Sequence, residues 1–212
     1  MAIDAALLEF VGGGKMPILR FYSWTEPAAS FGYFQDYEQI KQLTSLRPLV
    51  RRPTGGGLVP HDADWTYSVV FPPSHWWYAL SAAESYRKIH EWLHESFELL
   101  GLRTEVAPEE KKLARGQCFV GHEKSDLLRE GSKIAGAAQR RSRAGLLIQG
   151  SVQPPAGARR RADWEAAMRE VAEKFLAVDW RMFEPNEDFL QRAAQLSREI
   201  YSHPDLRRGR NP

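Results

Sequence analysis

Apolar positions along the chain change period several times, and each change marks an element. In "IDAALLEFV", Ile3, Leu7, Leu8 and Val11 fall on one face of a 3.6-residue period, and the glycines at 12–14 stop it, so the chain is expected to open on a short helix. "PILRFYSW" (17–24), "ASFGYF" (29–34), "PLVRRP" (48–53) and "TYSVVF" (66–71) are short, rich in β-branched or aromatic residues and bounded by Pro or Gly. They read as strands. Over 79–101, Tyr86, Ile89, Trp92, Leu93, Phe97 and Leu100 recur at spacings of three and four before Gly101, the clearest helical pattern in the sequence. "KIAGAAQRR" and "GLLIQGSV" are strand-like and separated by "SRA", which predicts a hairpin. "DWEAAMREVAEKFLAV" and "NEDFLQRAAQLSREIY" are amphipathic helices, and the tail "RRGRNP" reads as disordered. Strands and helices intersperse without strict alternation or internal repeat. The expected fold is α+β: a central mixed, largely antiparallel sheet flanked by helices, in one domain over 1–205 with a disordered tail at 206–212.

Composition sharpens this only in part. With 212 residues, 43% apolar and 11% aromatic, the chain can bury a sizeable core and is neither disordered nor fibrous. The formal charge is only +2, yet arginines bunch as Arg51-Arg52, Arg140-Arg141-Arg143, Arg159-Arg160-Arg161 and Arg207-Arg208-Arg210, so local patches can attract an anionic partner. Arginines without interleaved aromatics on one helix are a weak basis for nucleic-acid binding, and none is expected. A single cysteine excludes an internal disulfide, and no basic segment leads into an apolar signal core. Residues 66–83 lack charged side chains, but Pro72-Pro73, Ser74 and His75 interrupt the run, which excludes a membrane span there. A cytoplasmic setting is the expectation.

Four features carry candidate chemistry. Gly55-Gly56-Gly57 follow a predicted strand, where bare backbone can approach a ligand and offer N–H groups; the same triplet also suits a loop that needs positive φ. His61-Asp62 could move a proton, but no other His or Cys stands at ligand spacing, so no metal is expected. Cys118 lies in the polar stretch "LARGQCFVGHEKSD" with cations nearby in sequence; it reads either as a small buried hydrophobe or as a thiolate nucleophile. Lys133 sits inside the small-residue strand "GSKIAGAAQ", where Gly136 and Ala137 leave room for a ligand that its long cationic stem could reach.

Taken in order, "MAIDAALL", "LRFYSWTEPAASFGYFQ", "VRRPTGGGLVPHDADWTYSVV" and "DLLREGSKIAGAAQRRSRAGLLIQGSV" resemble blocks of the biotin/lipoate protein ligase and octanoyltransferase superfamily, over about residues 1–152. The resemblance implies a glycine-rich loop of Arg52, Gly55, Gly56, Gly57, His61 and Asp62 lining an acyl or acyl-adenylate site. Lys133 would contact the acyl carbonyl or the carboxylate-phosphate region, with Gly136 and Ala137 beside it and Gln149 also at the acyl or adenylate site. It implies octanoyl or lipoyl transfer to a lysine of a lipoyl-domain or glycine-cleavage H-like acceptor, with an acyl carrier protein as donor, through a thioester on Cys118 and without a cofactor. The alternative is an ATP- and magnesium-dependent ligase that forms lipoyl-adenylate in the same pocket; "SDLL" at 125–128 resembles the Asn-Asp segment of adenylate-forming members. Two departures stand out. Gln149 occupies a position where relatives commonly carry His before Gly-Ser, and relatives usually have a strand before the first helix, which implies either a late start or a sheet short of one edge strand.

Overall fold

A computed structural model describes residues 1–14, 16–112, 121–158 and 160–203. The elements in chain order are α1 (Ala2–Val11), β1 (Ile18–Tyr22), β2 (Ala28–Phe31), α2 (Tyr37–Leu43), β3 (Leu49–Arg51), β4 (Val59–His61), β5 (Trp65–Phe71), α3 (Trp76–Ala79), α4 (Ala82–Leu99), β6 (Glu105–Val106), β7 (Lys111–Lys112), β8 (Gly121–His122), β9 (Leu127–Arg129), β10 (Ser132–Ser142), β11 (Gly145–Val152), α5 (Arg161–Leu176) and α6 (Glu187–Leu196). A π-helical turn, Ser197–Tyr201, extends α6.

Six strands form an antiparallel sheet in the order β1-β5-β11-β10-β9-β6. The parallel pairing expected within one mixed sheet falls elsewhere: β2 pairs parallel with β3 and antiparallel with β4 in a separate three-stranded sheet. Strand β5 is buried along its whole length because both faces are covered. Tyr67, Val69 and Phe71 pack with Ile148, α4 and α5, while Val70 and Leu147 pack with α1 and α6. A Cβ on Gly150 would stand 2.1 Å from the Tyr67 ring, so a glycine in β11 is what lets that ring lie flat across the sheet.

The helices follow the sequence logic with one revision. Ser81 and Glu84 form a capping box that starts α4, and the Trp92 indole donates to Met168 O at 2.7 Å, fastening α4 to α5. On α1 the inward face is 4-7-8-11 rather than 3-7-8-11. Ile3 is 40% exposed, whereas Asp4 is fully buried. A carboxylate takes the expected apolar position because the sheet beneath it presents Ser68 and Gln149 instead of hydrophobic side chains. No helix among the described residues is long and apolar enough to cross a membrane.

Candidate functional site

The face of the large sheet that carries Thr66, Ser68, Gln149 and Ser151 turns toward the three-stranded sheet, and polar side chains join the two. Thr54, just before the glycine triplet, donates to Gln149 Oε1 at 2.8 Å. Gln149 Nε2 donates to Asp4 Oδ2 at 2.6 Å, and Asp4 also accepts from Arg20 at 2.7 Å and from Ser68 at 2.9 Å. A buried carboxylate of this kind survives only when each lone pair is met. Gln149 is therefore a structural bridge that also borders the cavity described below.

The glycine loop is organised by Arg52. Its guanidinium donates to Gly55 O at 2.8 Å, to Gly57 O at 2.6 Å and to Ser30 Oγ at 3.1 Å, so the Gly55 and Gly57 carbonyls face this buried cation. The expected loop of ligand-facing N–H groups is thus, in its carbonyls, a cap on an arginine. Gly56 adopts φ 87°, a left-handed backbone that favours glycine. Gly56 also approaches Gly32 so closely that a Cβ on Gly32 would lie 2.0 Å from the Gly56 carbonyl oxygen.

His61 joins the same wall. Its Nε2 lies 2.7 Å from Ser30 Oγ and its Nδ1 2.8 Å from Asp64 Oδ2, with Trp24 stacked on the ring at 4.2 Å between centroids. Asp62, the expected companion of His61, is instead exposed. Residues 62 and 63 are bends in the connection from β4 to β5, and Asp64, at the end of that connection, is the carboxylate that meets the imidazole. Asp64 also accepts from Ser151 at 2.6 Å and from Thr66 at 3.1 Å, which fixes the β4 end against the large sheet.

Lys133 projects from β10 with its side chain only 6% exposed, and its ammonium sits 2.7 Å from the fully buried Asp126 carboxylate. Tyr86 OH and the Glu123 N–H also donate to that carboxylate. Gly136 makes the arrangement possible: a Cβ there would stand 2.7 Å from Lys133 Cε and 2.8 Å from Nζ. Lys133, Gly136, Ala137, Gln149, Gly56, His61 and Arg52 meet around one cavity of about 50 Å³. That is room for a few water-sized groups, at roughly 10–15 Å³ each, and so suits the head of a ligand rather than a long chain. Gly55, Gly57 and Asp62 do not border it. Cys118 lies outside the described residues. Asp126, Asp64, Ser30, Tyr86 and Asp4 were not singled out by sequence as site residues. The "SDLL" match pointed at Asp126 only as part of a segment, and a carboxylate on the apolar side of α1 was the available signal for Asp4.

Beside this network His90 is fully buried on α4, its Nδ1–H donating to Tyr86 O at 2.8 Å. Its Nε2 has no partner among the described residues. Burial pushes its pKa down from 6.5 to about 4, against the opposing pull of Asp126 and the Tyr86 carbonyl. The neutral ring is thus a condition of folding. Stability is fully present above pH 6.5 and falls as the pH drops toward 4, because the unfolded chain then takes up a proton that the fold refuses. At about 1.4 kcal/mol per pH unit the loss amounts to about 3 kcal/mol. Urea denaturation at pH 7 and pH 4.5 should show it, and His90→Gln should remove most of the slope; the half-buried His75, also lowered by burial, retains a smaller part.

Residues 1–153 match the family model of the lipoyl protein ligase A/B catalytic domain. Octanoyltransferase LipM of Staphylococcus aureus is 39% identical over 165 residues, covering 72% of this chain and 60% of that protein. Octanoyltransferase LipM of Geobacillus kaustophilus is 40% identical over 165 residues, covering 72% of this chain and 59% of that protein. The chain thus spans about three fifths of the length of these relatives. Among solved structures, lipoate-protein ligase A bound with ATP superposes with a TM-score of 0.78 at 22% identity, over 97% of this chain and 92% of that one. A bi-partite lipoate protein ligase from Thermoplasma acidophilum, studied with its E2 lipoyl domain, gives 0.76 at 21% identity over 100% and 92%. At these identities the structural likeness speaks to the fold alone.

Proposed function

The chain belongs to the lipoyl protein ligase A/B catalytic-domain family, and from that premise we propose that residues 1–205 form one catalytic domain that transfers an octanoyl or lipoyl group to a lysine of a lipoyl-domain acceptor. The octanoyl group is favoured by the names of the relatives, which are octanoyltransferases. The observation that carries the reading is the buried Lys133 ammonium, tethered by Asp126 in the wall of a small-residue cavity.

In this reading the Cys118 thiolate attacks the carbonyl carbon of a carrier-bound acyl thioester. A new C–S bond forms, the carbonyl electrons move onto oxygen, and the Lys133 ammonium stabilises that oxyanion. Collapse expels the carrier thiolate and leaves the acyl group on Cys118. The neutral amine of the acceptor lysine then attacks the enzyme thioester, Cys118 leaves as thiolate, and the nitrogen releases its extra proton to solvent as the amide forms. Asp126 holds the ammonium where the oxyanion develops, so no reorganisation is needed as the charge appears. The chemistry calls for no nucleotide and no metal.

Intact-mass spectrometry after incubation with an octanoyl carrier thioester tests this. An octanoyl adduct that maps to Cys118 and then passes to an added lipoyl domain is the expected result. No adduct, together with pyrophosphate release from lipoate, ATP and magnesium, would overturn it in favour of adenylate formation.

A further inference from the structure

Ser30, His61 and Asp64 form a chain of hydrogen bonds at the wall of the acyl cavity. Ser30 Oγ lies 2.7 Å from His61 Nε2, and His61 Nδ1 lies 2.8 Å from Asp64 Oδ2. Ser30 is 1% exposed and the His61 and Asp64 side chains 3% and 2%, yet Ser30 and His61 border the same cavity as Lys133. The β2–β4 ladder already joins the two strands, with Ala28 opposite His61 and Ser30 opposite Val59, so the side-chain bond is not what holds them together.

The direction of each hydrogen bond follows from chemistry. A carboxylate only accepts, so Asp64 takes the Nδ1 proton and leaves the Nε2 lone pair of the neutral ring toward Ser30. Arg52 donates to Ser30 Oγ at 3.1 Å, which leaves the serine proton to point at Nε2. Trp24 stacks on the imidazole, and the Thr66 and Ser151 hydroxyls hold Asp64. A serine bonded to a histidine that a buried carboxylate orients is the arrangement that makes a hydroxyl nucleophilic. It is recognised by geometry and role, whatever the order along the chain.

We propose that Ser30 is a second nucleophile in this cavity, with His61 as its base and Asp64 as the positioning residue behind it, and that it hydrolyses the acyl thioester to the free carboxylic acid when no acceptor amine is present. The proposal rests on the transfer reading for its substrate class but not for its nucleophile. Ser30 Oγ attacks the thioester carbonyl carbon as its proton passes to His61 Nε2; a C–O bond forms and an electron pair moves onto oxygen, where the Lys133 ammonium meets it. Collapse breaks the C–S bond, the departing sulfur takes the proton from Nε2, and the acyl group remains as an ester on Ser30. Water then gives a proton to Nε2 and attacks the ester carbonyl. The bond to Oγ breaks, and Oγ recovers its proton from His61. The sum is thioester plus water to carboxylic acid plus thiol.

An octyl fluorophosphonate, which phosphonylates activated serines and spares thiols, reads this centre without turnover. On the wild-type chain and on Cys118→Ala, which lacks any cysteine, one phosphonyl group should add and map to Ser30. Cys118→Ala should also hydrolyse octanoyl-pantetheine about 100-fold or more faster than buffer, the least that a positioned base supplies. On that background Ser30→Ala should lose both label and hydrolysis, and Ser30→Cys, which keeps the side-chain size, should lose the label but trap an octanoyl group at position 30. Asp64→Asn should slow labelling about 100-fold or more at neutral pH and move what remains to alkaline pH, a tilt that lost stability alone does not produce. Absence of label on Ser30, or labelling that Asp64→Asn leaves unchanged, overturns the proposal. Octanoyl transfer through Cys118 with Ser30 unlabelled sinks the second nucleophile alone, whereas a labelled, hydrolytic Ser30 in a protein that takes no adduct on Cys118 sinks the transfer reading alone.

Discussion

Lys133→Met is expected to damage stability and chemistry together, and the two losses can be separated. Removing the ammonium leaves Asp126 fully buried with Tyr86 OH and the Glu123 N–H but no cation among the described residues. Breaking a buried pair in this way costs about 3–5 kcal/mol, because an uncompensated charge remains. The two surviving donors place this case at the lower end, about 3 kcal/mol. Transfer from an octanoyl thioester should fall by about 100-fold or more, the usual consequence of losing one oxyanion donor. The double variant Lys133→Met/Asp126→Asn removes the orphaned charge and should recover most of the lost stability while leaving transfer defective. Chemical denaturation and single-turnover assays on the two proteins decide the matter. Recovery of both stability and transfer in the double variant would show that Lys133 serves only to neutralise Asp126.

Gly32→Ala is the second large effect, and it acts without touching any charged group. The added methyl would meet the Gly56 carbonyl oxygen at 2.0 Å and the Gly56 and Gly55 carbonyl carbons at 2.9 and 3.0 Å. These are backbone atoms, so the loop itself must move, and with it the two carbonyls that hold Arg52. Overpacking of this kind costs about 2–3 kcal/mol, a fall in Tm of roughly 4–12 °C for a chain of this size. Transfer should fall with it, since Gly56 borders the slot. Gly55→Ala is the matched control: its Cβ would meet nothing within 4 Å, and it should be nearly silent. Similar melting of the two variants would refute the close-approach account of the loop.

Much of this architecture was legible in the sequence because period is a backbone property. The hairpin of β10 and β11 follows from two strand-like runs around "SRA", and α4 from Tyr86, Ile89, Trp92, Leu93 and Phe97. Lys133 and Gly136 could be paired by their spacing, and the structure gives the reason, since the glycine vacates the volume that the lysine tail fills. Partnership across loops was not legible. His61 reads as the neighbour of Asp62, yet the bend after β4 gives that role to Asp64. The glycine triplet suggests outward N–H groups, but Arg52, a buried arginine only three residues before it, draws the Gly55 and Gly57 carbonyls inward. Short strands such as β6, β8 and β9 escaped notice because two or three residues cannot display a period of two.

The tethers that shape the slot span long stretches of chain: 145 residues from Asp4 to Gln149, 95 from Thr54 to Gln149 and 87 from Asp64 to Ser151. All three end on β11. Contacts so distant in sequence must meet their loop-closure entropy before they return anything, so they form late. The helices and the β1–β5 pair can gather early, but a chain that has not yet docked β11 holds its ligand-facing groups apart. Competence of the slot is therefore a report on the last step of folding, and its loss an early sign that this central strand has begun to come away.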